Sequence, residues 1–136
     1  MRKRKSHKSF GEYYIKLILE KYNISYTKEK KFPNCNSPKN YPLRFDFYLN
    51  DYNILIEFQG KHHYEPVNKY YRAKKVTERT QIHDKIKREY CKIHNIPLIE
   101  ISYLDLDLQK IEEILKTKVT EILENVNYSR VNKRIN

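Results

Sequence analysis

Two carboxylates stand inside stretches of sequence that are otherwise apolar and strand-like. Glu57 interrupts the run 54–58, and Asp46 interrupts the run 43–49. A cluster of turn-forming residues, 50–53, separates the two runs and predicts a β-hairpin. If the turn is centred on that cluster, the antiparallel register sets Asp46 opposite Glu57, with their Cβ atoms about 5 Å apart.

Carboxylates so close together repel each other, and each is costly to bury, unless a cation lies between them. Mg²⁺ prefers oxygen ligands and keeps several waters, so Asp46 and Glu57 suffice to hold it, with the Phe58 carbonyl as a further oxygen. Mn²⁺ would be a substitute. The pair therefore predicts metal-dependent phosphodiester chemistry. The alternative is that both are partly exposed strand carboxylates, paired with cations such as Arg44 or Lys61.

The charge of the chain agrees with a phosphodiester substrate. The 136 residues include 28 Lys and Arg against 17 Asp and Glu, a net charge of +11. This excess favours a polyanionic partner, and nucleic acid is favoured over a membrane because no apolar run approaches about 18 residues. The two cysteines lack metal-ligand spacing, and no signal-peptide-like apolar stretch follows the basic first residues, so we expect a reduced, intracellular protein.

The periodicity of apolar residues predicts one α/β domain over residues 9–124, between a basic N-terminal arm (1–8) and a polar C-terminal tail (125–136). Helices are expected over residues 9–22, 78–94 and 107–124. Strands are expected over residues 25–32, 43–49, 54–59 and 97–101. The second helix is expected to pack through Ile82, Ile86, Tyr90 and Ile93. A helix between the third and fourth strands predicts a mixed sheet of about four strands with helices on both faces.

This order of elements, together with the carboxylates, resembles the restriction-endonuclease-like (PD-(D/E)xK) nucleases. Their sheet presents an Asp and then Glu-x-Lys, positions held here by Asp46, Glu57 and, in place of the Lys, Gln59. The segments 56–64 and 84–99 are more similar to the very-short-patch-repair-like branch, which includes phage homing endonucleases with a Glu, Asp, His, Asp constellation. The resemblance implies a Mg²⁺-dependent endodeoxyribonuclease from a phage-like or mobile-element context.

The resemblance also implies roles for further side chains. His63 would be the general base that takes a proton from water, and Asp84 would orient its ring. Glu12 would be the first-helix Glu of the constellation. Gln59 would donate a hydrogen bond but bring no positive charge, and Lys61 is a candidate replacement for the missing lysine.

Each of these side chains also has a purely structural interpretation. His63 and its neighbour His62 would be solvated loop residues. Asp84 has cations three and four residues further on, the spacing of ordinary ion pairs on a helix. Glu12 stands at capping-box spacing from a serine and would bond back to its amide.

The basic clusters, interleaved with tyrosines, are candidates for contacts with DNA. The predicted DNA-binding residues come from the N-terminal arm, the segment after the hairpin and the second helix: Arg2, Lys3, Arg4, Lys5, Lys61, His62, Tyr64, Lys69, Arg72, Lys74, Lys75 and Lys87. A monomer with one site would nick one strand, whereas cutting both strands requires a homodimer.

Three other interpretations stay open at this point. The chain could be a resolvase of Holliday junctions or other branched DNA, since those nucleases also combine a first-helix Glu with Asp and Glu-x-Lys. It could be a non-catalytic DNA-binding module, with Gln59 as a sign of decay. It could be a structural or partner-binding protein, although the embedded Glu57 has no role there.

Overall fold

The computed structural model describes the backbone of residues 9–135 and the side chains of residues 10–127. The elements follow the predicted order of helix, three strands, helix, strand and helix. They are α1 (Ser9–Lys21), β1 (Tyr26–Asn36), β2 (Pro42–Leu49), β3 (Ile54–Gln59), α2 (Tyr71–Ile93), β4 (Leu98–Ser102) and α3 (Leu108–Ile135). The predicted basic arm, with Arg2, Lys3, Arg4 and Lys5, lies outside the described residues.

The four strands form one mixed sheet in the order β1-β2-β3-β4. The first three strands are antiparallel neighbours, and β4 runs parallel to β3. Parallel neighbours need a crossover connection, which α2 provides. Over the part of the chain that the structure describes, no helix combines the length and apolar character needed to cross a membrane.

Two apolar cores lie on opposite faces of this sheet, because neighbouring residues of a strand point to opposite faces. The larger core lies under α1 and α3 and includes Ile15, Ile18, Leu19, Ile54, Ile56, Phe58, Ile111 and Leu115. The smaller core lies under α2 and consists of Cys35, Leu43, Phe45, Leu55 and Cys91. Both cysteines are free, and burial raises the pKa of the Cys91 thiol to about 12.

An irregularity in β2 occurs at Asp46. Phe45 belongs to the core under α2, whereas Phe47 belongs to the core under α1 and α3, although residues two apart in a regular strand share a face. In β1, Glu29 has a left-handed φ of 52°, and the pairing of β1 with β2 omits Glu29 and Asp46. Such irregularities redirect side chains, and this one lies at the first of the two carboxylates.

Three predicted boundaries are wrong. β1 continues through Pro33 to Asn36, which is possible because β1 is an edge strand. The helix α2 begins at Tyr71 rather than near residue 78. Its first turns hold few apolar residues, so apolar periodicity does not indicate them, but they hold good helix formers. The helix α3 continues through Ile135, so that residues 125–135 of the predicted tail are helical; no Gly or Pro interrupts them.

The packing face of α2 also differs from the prediction. Its buried side chains follow a seven-residue spacing: Thr77, Asp84 and Cys91. Ile82 and Ile93 are 50% and 75% exposed, while Ile86 and Tyr90 are partly buried against the core under α2. Apolar periodicity misleads here because the helix turns a partly polar stripe towards the sheet.

Gly11 sets how closely α1 approaches β3. A Cβ atom at this position would lie 2.4 Å from the ring of Phe58. We therefore expect Gly11→Ala to lower the free energy of unfolding by about 1–3 kcal/mol, the usual effect of overpacking, although Ala favours a helix over Gly. Chemical denaturation measures this change. Gly60→Ala is the matched control, since its Cβ would meet only the His62 ring at 3.3 Å. Equal losses in both variants would contradict the packing.

Candidate active site

Asp46 and Glu57 lie together where the pairing of β2 with β3 ends. The hairpin has the predicted register, and its last regular pair is Phe47 with Ile56. One step further, the Phe58 N–H donates to Asp46 Oδ2 at 2.8 Å, so a side chain replaces the backbone acceptor. The two carboxylate residues are only 6% and 5% exposed. The two acids are therefore fixed in the interior, side by side.

Lys87 of α2 supplies a cation to this pair. Its Nζ donates to Glu57 Oε1 at 2.6 Å, and its side chain is only 14% exposed. Burial, followed by the negative charge of Asp46, raises the pKa of Glu57 well above its usual value, while Lys87 acts in the opposite direction. The lysine therefore compensates only part of the cost of keeping both acids charged.

His63 and Asp84 form a second buried pair. His63 Nδ1 lies 2.7 Å from Asp84 Oδ2, and both side chains are less than a tenth exposed. A carboxylate only accepts hydrogen bonds, so Nδ1 is assigned the proton and Nε2 is left as an acceptor. The ring of His62 contacts that of His63 at a tilt of 43°, with centroids 4.5 Å apart. The contact expected between Asp84 and His63 is therefore present.

Two elements hold these pairs on the same side of the sheet. Asp84 and Lys87 are three residues apart on α2, which makes their side chains neighbours on one face of the helix, with Cβ atoms about 5–6 Å apart. The chain runs from Glu57 to the end of β3 and straight into the 3₁₀ turn that carries His63. Both pairs therefore lie between β3 and α2, within about one helical turn of each other.

Gln59 belongs to a neighbouring network. Its amide nitrogen donates to Glu100, and its amide oxygen accepts from the Tyr64 hydroxyl at 2.7 Å. Arg88 donates to both oxygens of Glu100, at 2.7 and 2.6 Å. Glu100 is also the direct neighbour of Glu57 in the parallel pairing of β4 with β3. Both the amide nitrogen and the amide oxygen of Gln59 therefore have hydrogen-bond partners.

Sequence reasoning missed Lys87 as the partner of Glu57 and missed Glu100 altogether. Glu100 carries the signal that singled out Glu57, a carboxylate inside a short apolar strand. Lys87 and Arg88 do not pair with Asp84, their neighbour on the helix. Lys87 pairs with Glu57 and Arg88 with Glu100, whereas Asp84 pairs with His63.

Lys61 and Glu12 are two further predicted site residues. Lys61 is half exposed and pairs with Glu65 at 3.7 Å, so the cation that contacts Glu57 is Lys87 and not Lys61. Glu12 is half-buried in the first turn of α1, next to the glycine that contacts Phe58.

The predicted DNA-binding side chains that follow the hairpin are on the surface. Exposed side chains in this segment include Tyr64, Lys69, Arg72, Lys74 and Lys75. Lys75 pairs with Glu78 at 3.3 Å and lies 5.4 Å from the centre of the Tyr71 ring. The ring of Tyr64 also contacts that of Tyr103, with centroids 5.7 Å apart. This segment therefore presents cations and aromatic rings to solvent, next to the turn that carries His63.

The carboxylate pair fits an oxygen-preferring divalent cation. In the chain as described, no three His, Cys, Asp or Glu side chains form a closed metal cage. Mg²⁺ does not require one, because it keeps several waters and is usually bound through one or two carboxylates. Burial, and then the negative charge of Asp46, raises the pKa of Glu57, and a bound cation would favour the charged form of this carboxyl. Asp46 and Glu57 are thus suitable ligands.

The raised pKa of Glu57 has a consequence for stability. When folding raises the pKa of a carboxyl, the group stabilises the fold at pH values below its usual pKa of 4.5. That contribution is lost as the pH rises through the folded-state pKa. Asp46→Asn removes a charge that raises this pKa yet keeps an oxygen acceptor for the Phe58 N–H. In chelator at neutral pH, we expect the variant to be more stable than wild type by on the order of 1 kcal/mol, because it removes the repulsion between two neighbouring acids on adjacent strands.

Chemical denaturation at about pH 4 and about pH 7.5 measures this difference, which should shrink at the lower pH. Added Mg²⁺ should stabilise the wild type and leave Asp46→Asn nearly unchanged. A variant less stable than wild type at neutral pH would show that the two acids do not repel each other.

Comparisons with known proteins leave the family open. No protein-family model matches the chain, and no solved structure matches it. The chain is similar to the uncharacterized protein 307L of Invertebrate iridescent virus 6, with 29% identity over 69 residues. The match covers 51% of this chain and 35% of the viral protein, so the chain spans about a third of that relative.

Proposed function

We propose that this chain is a metal-dependent endonuclease that hydrolyses phosphodiester bonds in DNA. The observation that carries the proposal is the buried pair of Asp46 and Glu57, with Lys87 2.6 Å from the latter. Buried like charges are costly for stability, and such arrangements cluster at functional sites. The order of elements supports a likeness to restriction-endonuclease-like nucleases, and the contact of His63 with Asp84 supports the very-short-patch-repair-like branch.

Asp46 and Glu57 would hold Mg²⁺, with Mn²⁺ as a substitute. When bound, the ion neutralises the scissile phosphate and stabilises the leaving oxygen. The lysine of the Glu-x-Lys pattern is replaced by Gln59 in β3, and the Lys87 ammonium of α2 contacts the Glu57 carboxylate instead. Lys87 thus supplies the positive charge that Gln59 lacks.

His63 would act as the general base. Asp84 accepts from Nδ1–H, which fixes the tautomer and leaves Nε2 to take the proton from the attacking water. Asp84 then stabilises the imidazolium that forms, as a carboxylate partner does in other His-based sites. Glu12 lies in the first turn of α1 and remains the candidate for the first Glu of the Glu, Asp, His, Asp constellation.

The surface around this site suits a polyanion. Exposed cations such as Lys61, Lys69, Arg72 and Lys74 follow the hairpin and would contact phosphates on either side of the cut. A monomer would nick one strand, and a homodimer would cut both. The similar protein comes from a virus, which agrees with a viral or mobile-element context for this chain.

The role of Lys87 yields a prediction with an internal control. Lys87→Gln keeps much of the side-chain volume but removes the charge, so we expect a loss of about 10²-fold or more in single-turnover cleavage, as for other lost electrostatic groups. Lys61→Gln removes an equal charge from the half-exposed lysine, so we expect a loss below about tenfold. The reverse ranking would assign the lysine function to Lys61.

A panel of substrates tests the proposed function. Supercoiled plasmid, linear duplex, mismatched duplex and branched DNA are incubated with the protein in Mg²⁺, in Mn²⁺ and in chelator. We expect cleavage of at least one substrate in either metal and none in chelator. Preference for four-way junctions would favour a resolvase. Tight binding with no cleavage of any substrate would leave a DNA-binding module that has kept the fold.

A further inference from the structure

Four side chains beside the carboxylate pair form a continuous chain of hydrogen bonds. Arg88 of α2 donates to both oxygens of Glu100 in β4, at 2.7 and 2.6 Å. The Gln59 amide nitrogen, at the end of β3, donates to the same carboxylate, and the Tyr64 hydroxyl donates to the Gln59 amide oxygen at 2.7 Å. Every bond of this chain, here called the Gln59 network, therefore joins two different elements of the fold.

The donors and acceptors of the network allow only one orientation of the Gln59 amide. A carboxylate only accepts hydrogen bonds, so Glu100 requires the nitrogen end of the amide and leaves the oxygen end for Tyr64. A lysine at position 59 has three donors and no acceptor, so it could not take the bond that Tyr64 donates. A glutamate there could take that bond but would set a second carboxylate against Glu100. The amide of glutamine satisfies both neighbours.

The inner part of the network is buried. Gln59 is only 4% exposed, whereas the side chains of Glu100 and Arg88 are 26% and 51% exposed. A buried amide that loses its partners is costly, whereas an ion pair at the surface contributes little by itself. The bonds of Gln59 are therefore the part of the network that most constrains its surroundings.

Tyr64 connects the network to His63, the residue directly before it. The His63 N–H donates to the Gly60 carbonyl at 3.1 Å, within the turn that follows β3. The Gln81 side chain of α2 donates to the His63 carbonyl at 3.3 Å, and the His63 ring lies 2.7 Å from Asp84. The residue His63 is thus held from α2, and the residue after it is held from β3.

The helix α2 anchors this turn at two points. Asp84 and Arg88 are four residues apart, so they lie on the same face of the helix. Asp84 contacts His63 directly, and Arg88 reaches the turn through Glu100 and the rest of the network. Two attachments to one helix fix an orientation, whereas a single attachment would leave the turn free to pivot.

We propose that the Gln59 network is a positioning device for His63: it holds the turn after β3 so that the His63 ring stays against Asp84, beside the carboxylate pair. The inference rests on the proposed function and deepens it, because it gives Gln59 a role at the position where the resemblance implies a lysine. Gln59 and Glu100 are then positioning residues rather than catalytic ones, and Gln59 is not a sign of decay.

The test observes His63 in metal-free protein without DNA, so that it does not depend on cleavage. At about pH 8, where an ordinary imidazole is neutral, the nitrogen chemical shifts of the wild-type ring should show the proton on Nδ1, the tautomer that Asp84 holds. Gln59→Met removes both amide bonds at a similar side-chain length, and Tyr64→Phe removes only the hydroxyl. In both variants we expect a mixture of tautomers. Exchange of the His63 backbone N–H should be about 2- to 10-fold faster, the effect of one lost hydrogen bond.

Two controls separate positioning from a general loosening of the fold. Tyr103→Phe removes a hydroxyl from the ring that Tyr64 contacts, with centroids 5.7 Å apart, and should leave the His63 signals unchanged. The double variant Gln59→Glu with Glu100→Gln exchanges the amide and the carboxylate, so that each donor of the network again has an acceptor. It should restore the single tautomer that Gln59→Glu alone loses.

Cleavage connects the network to the proposed function. In single turnover at saturating enzyme, Gln59→Met and Tyr64→Phe should lower the rate by about 10- to 100-fold, as for a displaced catalytic group, with DNA affinity in chelator nearly unchanged. Gln59→Lys should not exceed the wild-type rate. A rate above wild type in Gln59→Lys would overturn the proposal, because Gln59 would then be a poor substitute for a catalytic lysine.

The His63 signals decide the remaining outcomes. A single unchanged tautomer in Gln59→Met, with or without a loss of global stability, would overturn the proposal and make the network purely structural. Altered His63 signals in a protein that cleaves no DNA would retain the network and remove the nuclease. Wild-type cleavage in Gln59→Met with normal His63 signals would do the opposite.

Discussion

Asp46→Ala and Glu57→Ala are each expected to reduce DNA cleavage to background while leaving DNA affinity unchanged or slightly higher. Each variant removes one of the two oxygen ligands of the proposed metal and one negative charge that faces the phosphate. The loss of Glu57 also frees Lys87, whose Nζ now lies 2.6 Å from it, to attract DNA. Cleavage and binding are measured on the same labelled duplex, the second in chelator.

Two further variants separate chemistry from folding. Asp46→Asn keeps an acceptor for the Phe58 N–H, so its loss of cleavage cannot come from the broken hydrogen bond. Glu65→Ala removes a half-exposed carboxylate that pairs with Lys61 and should cleave like wild type. Full activity in either alanine variant of the buried pair would refute the assignment of the site.

His63→Ala is expected to lose on the order of 10²–10⁴-fold in cleavage rate, the usual worth of a positioned general base. Asp84→Asn should lose less, because it disturbs the tautomer and orientation of the ring without removing it. His62→Ala is the matched control, since it removes the adjacent ring, whose centroid lies 4.5 Å from that of His63, and keeps the pair of His63 with Asp84; we expect a smaller loss than in His63→Ala. Single-turnover rates at saturating enzyme exclude losses in binding.

The result also distinguishes two mechanisms. If His63→Ala cleaves like wild type while Lys87→Gln is inactive, the site works as a Glu-x-Lys site whose lysine comes from α2 rather than from β3. In that case the pair formed by His63 and Asp84 is structural, and the likeness to the very-short-patch-repair branch is wrong.

The carboxylate pair could be predicted from the sequence because it depends on local rules. A turn cluster fixes the register of a hairpin, and alternation along the strands brings Asp46 and Glu57 opposite each other. The apolar neighbours of both acids predicted their burial. The irregularity opposite Glu29 could not be predicted in this way, since it arises where two strands fail to pair and leaves no composition signal.

The contribution of α2 depends on non-local packing and was predicted poorly. Apolar periodicity favoured Ile82 and Ile93 as packing residues, yet both are exposed. The helix instead turns Asp84 towards His63, in the turn after β3, and turns Lys87 towards Glu57 of β3. Buried charged groups need such partners. A polar stripe on a helix has the same pattern whether it faces water or a charged site. The sequence therefore identified Asp84 only through the resemblance, and it did not identify the contact of Lys87.

The most direct test of the central claim is the return of Mg²⁺ to metal-stripped protein while the conversion of supercoiled plasmid to its nicked or linear form is followed. Wild-type protein should be inactive after chelation and recover activity saturably as Mg²⁺ is added, whereas Asp46→Asn should stay inactive at every concentration. Cleavage that persists in excess chelator, or that recovers equally in Asp46→Asn, would contradict a metal-dependent nuclease built on Asp46 and Glu57.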